Sequence, residues 1–185
     1  RRQNLYDTID GAMKPQQLPF DFRQVPAYAR DDLWISASNH EAVAWVDRWP
    51  AWPSQALVIF GPVACGKTHL CHVWQKKSAA VDIAVPPDVL DAAAYILDDV
   101  TQKIKGDAAE RRLLHFLNML KESGKTLLMT DTAPPSQWPF GLPDLASRLR
   151  ACQAVEIGAP DDAALQVILA KMFSDRQIFV GQDVI

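Results

Sequence analysis

Gly61-Pro62-Val63-Ala64-Cys65-Gly66-Lys67-Thr68 fits the pattern G-x-x-x-x-G-K-[ST] at every fixed position. The context is as informative as the match. Ala56–Phe60 (ALVIF), just upstream, is a short apolar run of the kind a buried parallel strand carries. Downstream, a helix is predicted from about Lys67 to Lys77. A strand, a glycine loop and a helix in that order turn successive backbone N–H groups and a helix N-terminus toward a phosphate chain. On this reading Pro62, Val63, Ala64 and Cys65 wrap the phosphates with backbone, and Gly66 lets the chain approach closely. Lys67 neutralises the β- and γ-phosphates, the Thr68 hydroxyl reaches Mg²⁺, and His69 follows in the first helical turn. The expected ligands are ATP or ADP with Mg²⁺.

Working outward, strands and helices alternate. A helix is expected from Ser38, with Ser38 and Glu41 at capping-box spacing and Ala42, Val43, Val46 and Trp49 on one face. Pro50 and Pro53 end it. Further strands are predicted at Val81–Val85, Ala93–Leu97, Thr126–Thr130 and Ala154–Ile157. Asp107 with Glu110 is read as the cap of a long amphipathic helix burying Leu113, Phe116, Leu117 and Leu120, closed by Gly124. A last helix opens at 160–162 and is expected to turn Leu165, Ile168, Leu169 and Met172 inward. The pattern predicts an α/β fold with a central five-stranded parallel sheet flanked by helices. Residues 1–32, with Pro15, Pro19 and Pro26, read as an extended arm. Met13 is a candidate natural start within it.

The end of the third strand carries Asp98 and Asp99. A carboxylate there sits beside a phosphate loop, where open α/β sheets bind ligands. Asp98 is assigned to Mg²⁺ through water and Asp99 to orienting the attacking water; the plain alternative is a polar pair ending a strand. Thr130, Asp131 and Thr132 end the next strand. Asp131 is taken as the residue touching the γ-phosphate or the water, with Thr130 and Thr132 as rivals and a simple turn before Pro134-Pro135 as the alternative. Arg148 and Arg150 fall on the helix after that strand. An arginine there can reach a neighbouring subunit's nucleotide, although spacing alone favours a solvated side chain. Gln17-Leu18-Pro19-Phe20-Asp21-Phe22 has the alternating apolar residues of a groove-docking peptide or of an arm packed on its own domain.

Composition sets the bounds. The net charge is −3 and 49% of residues are hydrophobic, so a core is affordable without staples and a strongly basic nucleic-acid footprint is absent. No apolar run approaches the ~20 residues that span a bilayer, and the polar start shows no secretory signal. The three cysteines, Cys65, Cys71 and Cys152, are read as reduced thiols of a cytoplasmic protein. His69 and His72 lie three apart, too few ligands for a metal site.

GPVACGKTHL, YILDDV, LLMTDTAPP and GLPDLASRL, in that order, together with QLPFDF, resemble the DnaA-type AAA+ ATPases over about residues 17–185. Within them the chain resembles the Hda-type regulators of bacterial replication initiation. The resemblance implies an AAA+ core over residues 33–158 and the start of a truncated helical lid at 159–185. It makes Gln17, Leu18, Phe20 and Phe22 a motif for the DNA polymerase sliding clamp, and Arg148 an arginine finger acting in trans on ATP bound to DnaA. Trp34 and Ile35 would lie near the adenine. Contact with DNA is then indirect, through the clamp, and the location cytoplasmic and nucleoid-associated. Homo-oligomerisation stays open, and intrinsic hydrolysis is expected to be weak. Two departures stand out: the family's T-G-D-R-P-P is here Thr130-Asp131-Thr132-Ala133-Pro134-Pro135, and the chain stops at Ile185, before the lid arginine of the family. The rival functions are an initiator or helicase-loader type ATPase and a small-molecule P-loop kinase.

Overall fold

The computed structural model describes residues 33–175. The arm, with Gln17, Leu18, Phe20 and Phe22, and residues 176–185 lie outside them. In chain order the elements are α1 (His40–Arg48), β1 (Ala56–Phe60), α2 (Lys67–Ser78), β2 (Val81–Asp82) and β3 (Ala94–Leu97). There follow α3 (Val100–Lys103), α4 (Asp107–Ser123), β4 (Thr126–Asp131), α5 (Pro143–Arg150), β5 (Gln153–Glu156) and α6 (Asp162–Asp175).

The five strands form one all-parallel sheet in the order β2-β3-β4-β1-β5. Strand β1 is therefore flanked by β4 and β5, with Ala56 opposite Leu127 and Phe60 opposite Asp131. Period-two alternation along the strands makes two cores. Leu57, Ile59, Ile96, Leu128 and Val155 face α1 and α2, packing on Val43, Val46, Leu70 and Trp74. Val58, Tyr95, Leu97, Leu127 and Met129 face α4 and α5, packing on Leu113, Phe116, Leu120, Leu145 and Leu149. Trp74 is wholly buried, stacked on Trp52 with centroids 5.2 Å apart and edge-on to Trp49 at 6.0 Å. No helix among the described residues is long and apolar enough to cross a membrane.

Several local expectations are corrected. Strand β2 has two residues instead of five: it is the sheet edge, Val81 and Val85 are exposed, and only Ile83 of the stretch turns into the core. The capping box at Ser38 does not form: Asn39 occupies the N-cap of α1 without a side-chain capping bond, and the Ser38 hydroxyl pairs with Ser36 at 2.8 Å. On α6, Leu165 and Leu169 are each 42% exposed, not inward.

Glu110 is the most informative correction. It does not cap α4, whose N-cap is Gly106. It is 6% exposed, and its carboxylate accepts the Gly141 N–H at 3.2 Å and the Leu142 N–H at 2.7 Å. Two charge-assisted bonds thus pin the start of α5 to α4. Glu110→Ala leaves both N–H groups without an acceptor and is expected to cost about 2–3 kcal/mol. Urea unfolding would show this as a lower midpoint at unchanged m-value, with Glu110→Gln falling between the two.

Candidate functional site

The loop 61–66 leaves the C-terminal end of β1 and enters α2. Two glycines are required by geometry. A Cβ on Gly61 would collide with the carbonyl oxygen of Ile157, and Gly66, the N-cap of α2, sits at φ +101°. Ala64 also adopts a left-handed conformation, φ +63°. A non-glycine residue held there is strained, and such strain gathers at ligand-binding loops.

The loop closes on Lys67. This side chain is only 7% exposed, and its Nζ donates to the carbonyls of Gly61 at 2.9 Å and Pro62 at 2.7 Å, with the Cys65 Sγ 3.8 Å away. Its present partners are neutral oxygens, which a phosphate oxygen outcompetes on charge. Pro62, Val63 and Ala64 are exposed around it, and Cys65 and His69 are half-buried.

Beyond the loop a hydroxyl–carboxylate chain crosses the sheet end. The Thr68 Oγ1 donates to Asp98 Oδ2 at 3.0 Å. The Thr130 Oγ1 donates to Asp98 Oδ1 and accepts the Asp99 N–H at 3.1 Å. Topology explains the meeting: β4 lies between β1 and β3, so its C-terminal end fills the gap between the loop and Asp98. Asp99 is exposed, at φ +53° on the N-cap of α3.

Asp131, unlike Thr130, is turned away from this chain. It is 4% exposed, its Oδ2 accepts the Thr101 N–H at 2.7 Å, and its Oδ1 accepts the Thr132 N–H at 2.6 Å. Oδ2 thus holds the start of α3 and Oδ1 the turn that follows β4. Thr130 is thus the strand-end residue that the structure brings to Asp98. Strand parity was a signal for it: Thr130 shares the α2 face with Leu128, and Asp131 shares the opposite face with Met129.

Trp34 and Ile35 are each 47% exposed, on a segment tied in beside the loop. The Asn39 amide donates to the Trp34 carbonyl at 2.8 Å, and the Gly158 N–H donates to the Ser38 carbonyl at 2.9 Å. Ile157 in turn donates to Phe60 at 2.7 Å, at the root of the loop.

Arg148 is placed elsewhere. It is exposed near the end of α5 and lines a cleft with Ala56, the first residue of β1. The loop leaves the other end of that strand, about 13 Å away at strand rise. Arg148 is therefore not part of this chain's own phosphate site. Arg150 is also exposed.

The donor set suits a phosphate-borne magnesium ion. Such an ion keeps several waters and takes one or two protein oxygens beside the phosphates, which Thr68 and Asp98 supply. Among the described residues no group of three or more His, Cys, Asp or Glu could hold a metal by itself.

Fold and loop define a P-loop α/β domain with a five-stranded parallel sheet. No family model matches the chain. Among solved structures it is similar to a DNA replication initiation factor, at TM-score 0.75 and 17% identity over 89% of this chain and 59% of that one. It is similar to domain III of the Thermotoga maritima replication initiation protein DnaA, at TM-score 0.71 and 19% identity over 86% and 78%. It is also similar to replication initiator DnaA bound to AMPPCP and single-stranded DNA, at TM-score 0.68 and 19% identity over 89% and 59%. The chain spans 59% of the length of the first and third of these.

Proposed function

We propose that this chain is a DnaA-related AAA+ nucleotide-binding regulator of Hda type. It holds ADP or ATP with Mg²⁺ on Gly61–Thr68, docks on the sliding clamp through Gln17, Leu18, Phe20 and Phe22, and drives hydrolysis of ATP held by DnaA with Arg148. The observation that carries this reading is the separation of Arg148 from the chain's own phosphate loop. An exposed arginine at the far end of β1 stands where it can reach a nucleotide on another molecule, and this supports the reading. The DnaA-like fold and the QLPFDF motif support the choice of partners.

In its own site Lys67 binds phosphate, while Thr68, Asp98 and Thr130 order one another's oxygens around the metal position. Mg²⁺, when bound, neutralises phosphate charge. Asp99 is the remaining carboxylate at this strand end and the candidate for orienting water. It is a shorter side chain than glutamate, and slow intrinsic turnover is expected. The alternative, an initiator or helicase-loader type ATPase, draws on the likeness to DnaA bound to single-stranded DNA. The net charge of −3 opposes it.

The test is hydrolysis of ATP preloaded on DnaA, followed with clamp-loaded DNA and increasing amounts of this protein. Acceleration that requires the clamp is the expected result. Leu18→Ala with Phe20→Ala removes two apolar anchors and is expected to weaken clamp pull-down by roughly 100-fold. Unchanged clamp capture would remove the motif from the proposal, and no effect on DnaA would remove the regulator itself.

A further inference from the structure

At the N-terminal end of the sheet, opposite the phosphate loop, the ends of α4 and α5 enclose a cleft of about 210 Å³. Ala56, Leu117 and Leu120 are buried and make its floor. Lys121, Arg148 and Ala151 are exposed and make its rim. Small-molecule sites run from about 300 Å³ upward, so this cleft is sized for one large side chain. The rim is cationic, and its charge is uncompensated. Among the described residues Lys103 pairs with Asp82 and Arg112 with Asp88, and neither Lys121 nor Arg148 has a carboxylate partner.

We infer that this cleft is the seat for an apolar side chain of DnaA flanked by a carboxylate, and that Lys121 pairs with that carboxylate. The inference rests on the reading of Arg148 given above. If Arg148 reaches a nucleotide on DnaA, the surface immediately around its base is covered by DnaA at that moment. An apolar floor with two unpaired cations at its edge complements an apolar anchor beside an acid, and like-charged or purely polar segments gain nothing there. The cleft therefore sets how tightly DnaA is held and in what register, and Arg148 sets how fast its ATP is cleaved.

The two roles separate in a titration. Hydrolysis of DnaA-bound ATP is followed under single-turnover conditions with increasing full-length chain on clamp-loaded DNA. Ala151→Trp fills the cleft from its exposed rim, and Lys121→Glu reverses the charge. Each is expected to raise the half-saturating concentration roughly 10-fold while leaving the rate at saturation within about twofold, since neither touches the reacting phosphate. Arg148→Ala is expected to do the reverse. Retained nucleotide affinity of each variant reports an intact fold. An unchanged half-saturating concentration for Ala151→Trp overturns the seat, whatever Lys121→Glu does. A loss confined to the rate at saturation overturns it as well. No acceleration by the unaltered chain is a different outcome: the regulator reading falls, and this inference with it.

Discussion

Arg148→Ala is expected to slow hydrolysis of DnaA-bound ATP by roughly 10³-fold or more while leaving this chain's own nucleotide affinity unchanged. The size follows from what an arginine finger does. Its guanidinium neutralises charge that grows on the phosphoryl group in the transition state, so removing it raises the barrier without a matching loss of binding. The selectivity follows from placement. Arg148 is exposed and sits at the Ala56 end of β1, whereas the loop leaves the Phe60 end. Truncating an exposed side chain with no ion-pair partner also leaves stability nearly untouched. Arg148→Lys keeps the charge and loses the planar fork, so an intermediate rate is expected. Arg150→Ala is the control. Two residues along a helix turn the side chain about 200° away, and Arg150 does not line the cleft. Equal losses for Arg148 and Arg150 would mean a diffuse basic surface rather than a finger. Single-turnover rates on DnaA carrying labelled ATP distinguish the cases.

The parts of this fold that were legible in the sequence are those fixed by short-range chemistry. The phosphate loop is one, because Gly61 and Gly66 answer to local geometry: one faces the Ile157 carbonyl and the other takes a positive φ. Strands β1, β3 and β4 were legible because both faces of each are covered, giving near-continuous apolar runs. Strand β2 was overread for the same reason. Val81, Ile83 and Val85 look like a buried strand, but β2 is the sheet edge and Val81 and Val85 are exposed. The caps failed because a carboxylate at the right spacing was assumed to act locally. Glu110 instead reaches Gly141 and Leu142, more than thirty residues on, a pairing that only tertiary packing creates. Residue type alone did not separate Asp131 from Thr130 at the end of β4. The alternation of β4 does, putting the threonine on the loop side and the aspartate under α3. Arg148 was singled out by resemblance, since the spacing of LASRLRAC by itself favours a solvated arginine.

Lys67→Ala is expected to weaken binding of Mg²⁺-ATP roughly 100-fold or more. The ammonium is nearly buried inside the loop, where removing one partner of a desolvated charge pair costs about 3 kcal/mol. The same substitution removes the two bonds that tie Nζ to the Gly61 and Pro62 carbonyls. Lost affinity could then reflect a loosened loop rather than a missing charge, and Lys67→Gln separates the two. Its side-chain amide can still donate to a loop carbonyl, yet it carries no charge. If charge dominates, Gln binds as weakly as Ala; if loop order dominates, Gln recovers most of the affinity. Thermal unfolding with and without ligand gives the readout. A ligand at 100 times its Kd stabilises by about 2.7 kcal/mol, and after a 100-fold loss the same concentration stabilises by only about 0.4 kcal/mol. For a domain of this size the first corresponds to a rise of about 5–10 °C and the second to about 1–2 °C. Should Lys67→Ala retain the full shift, the nucleotide is not held by this loop, and the phosphate-site assignment fails independently of anything concluded about Arg148.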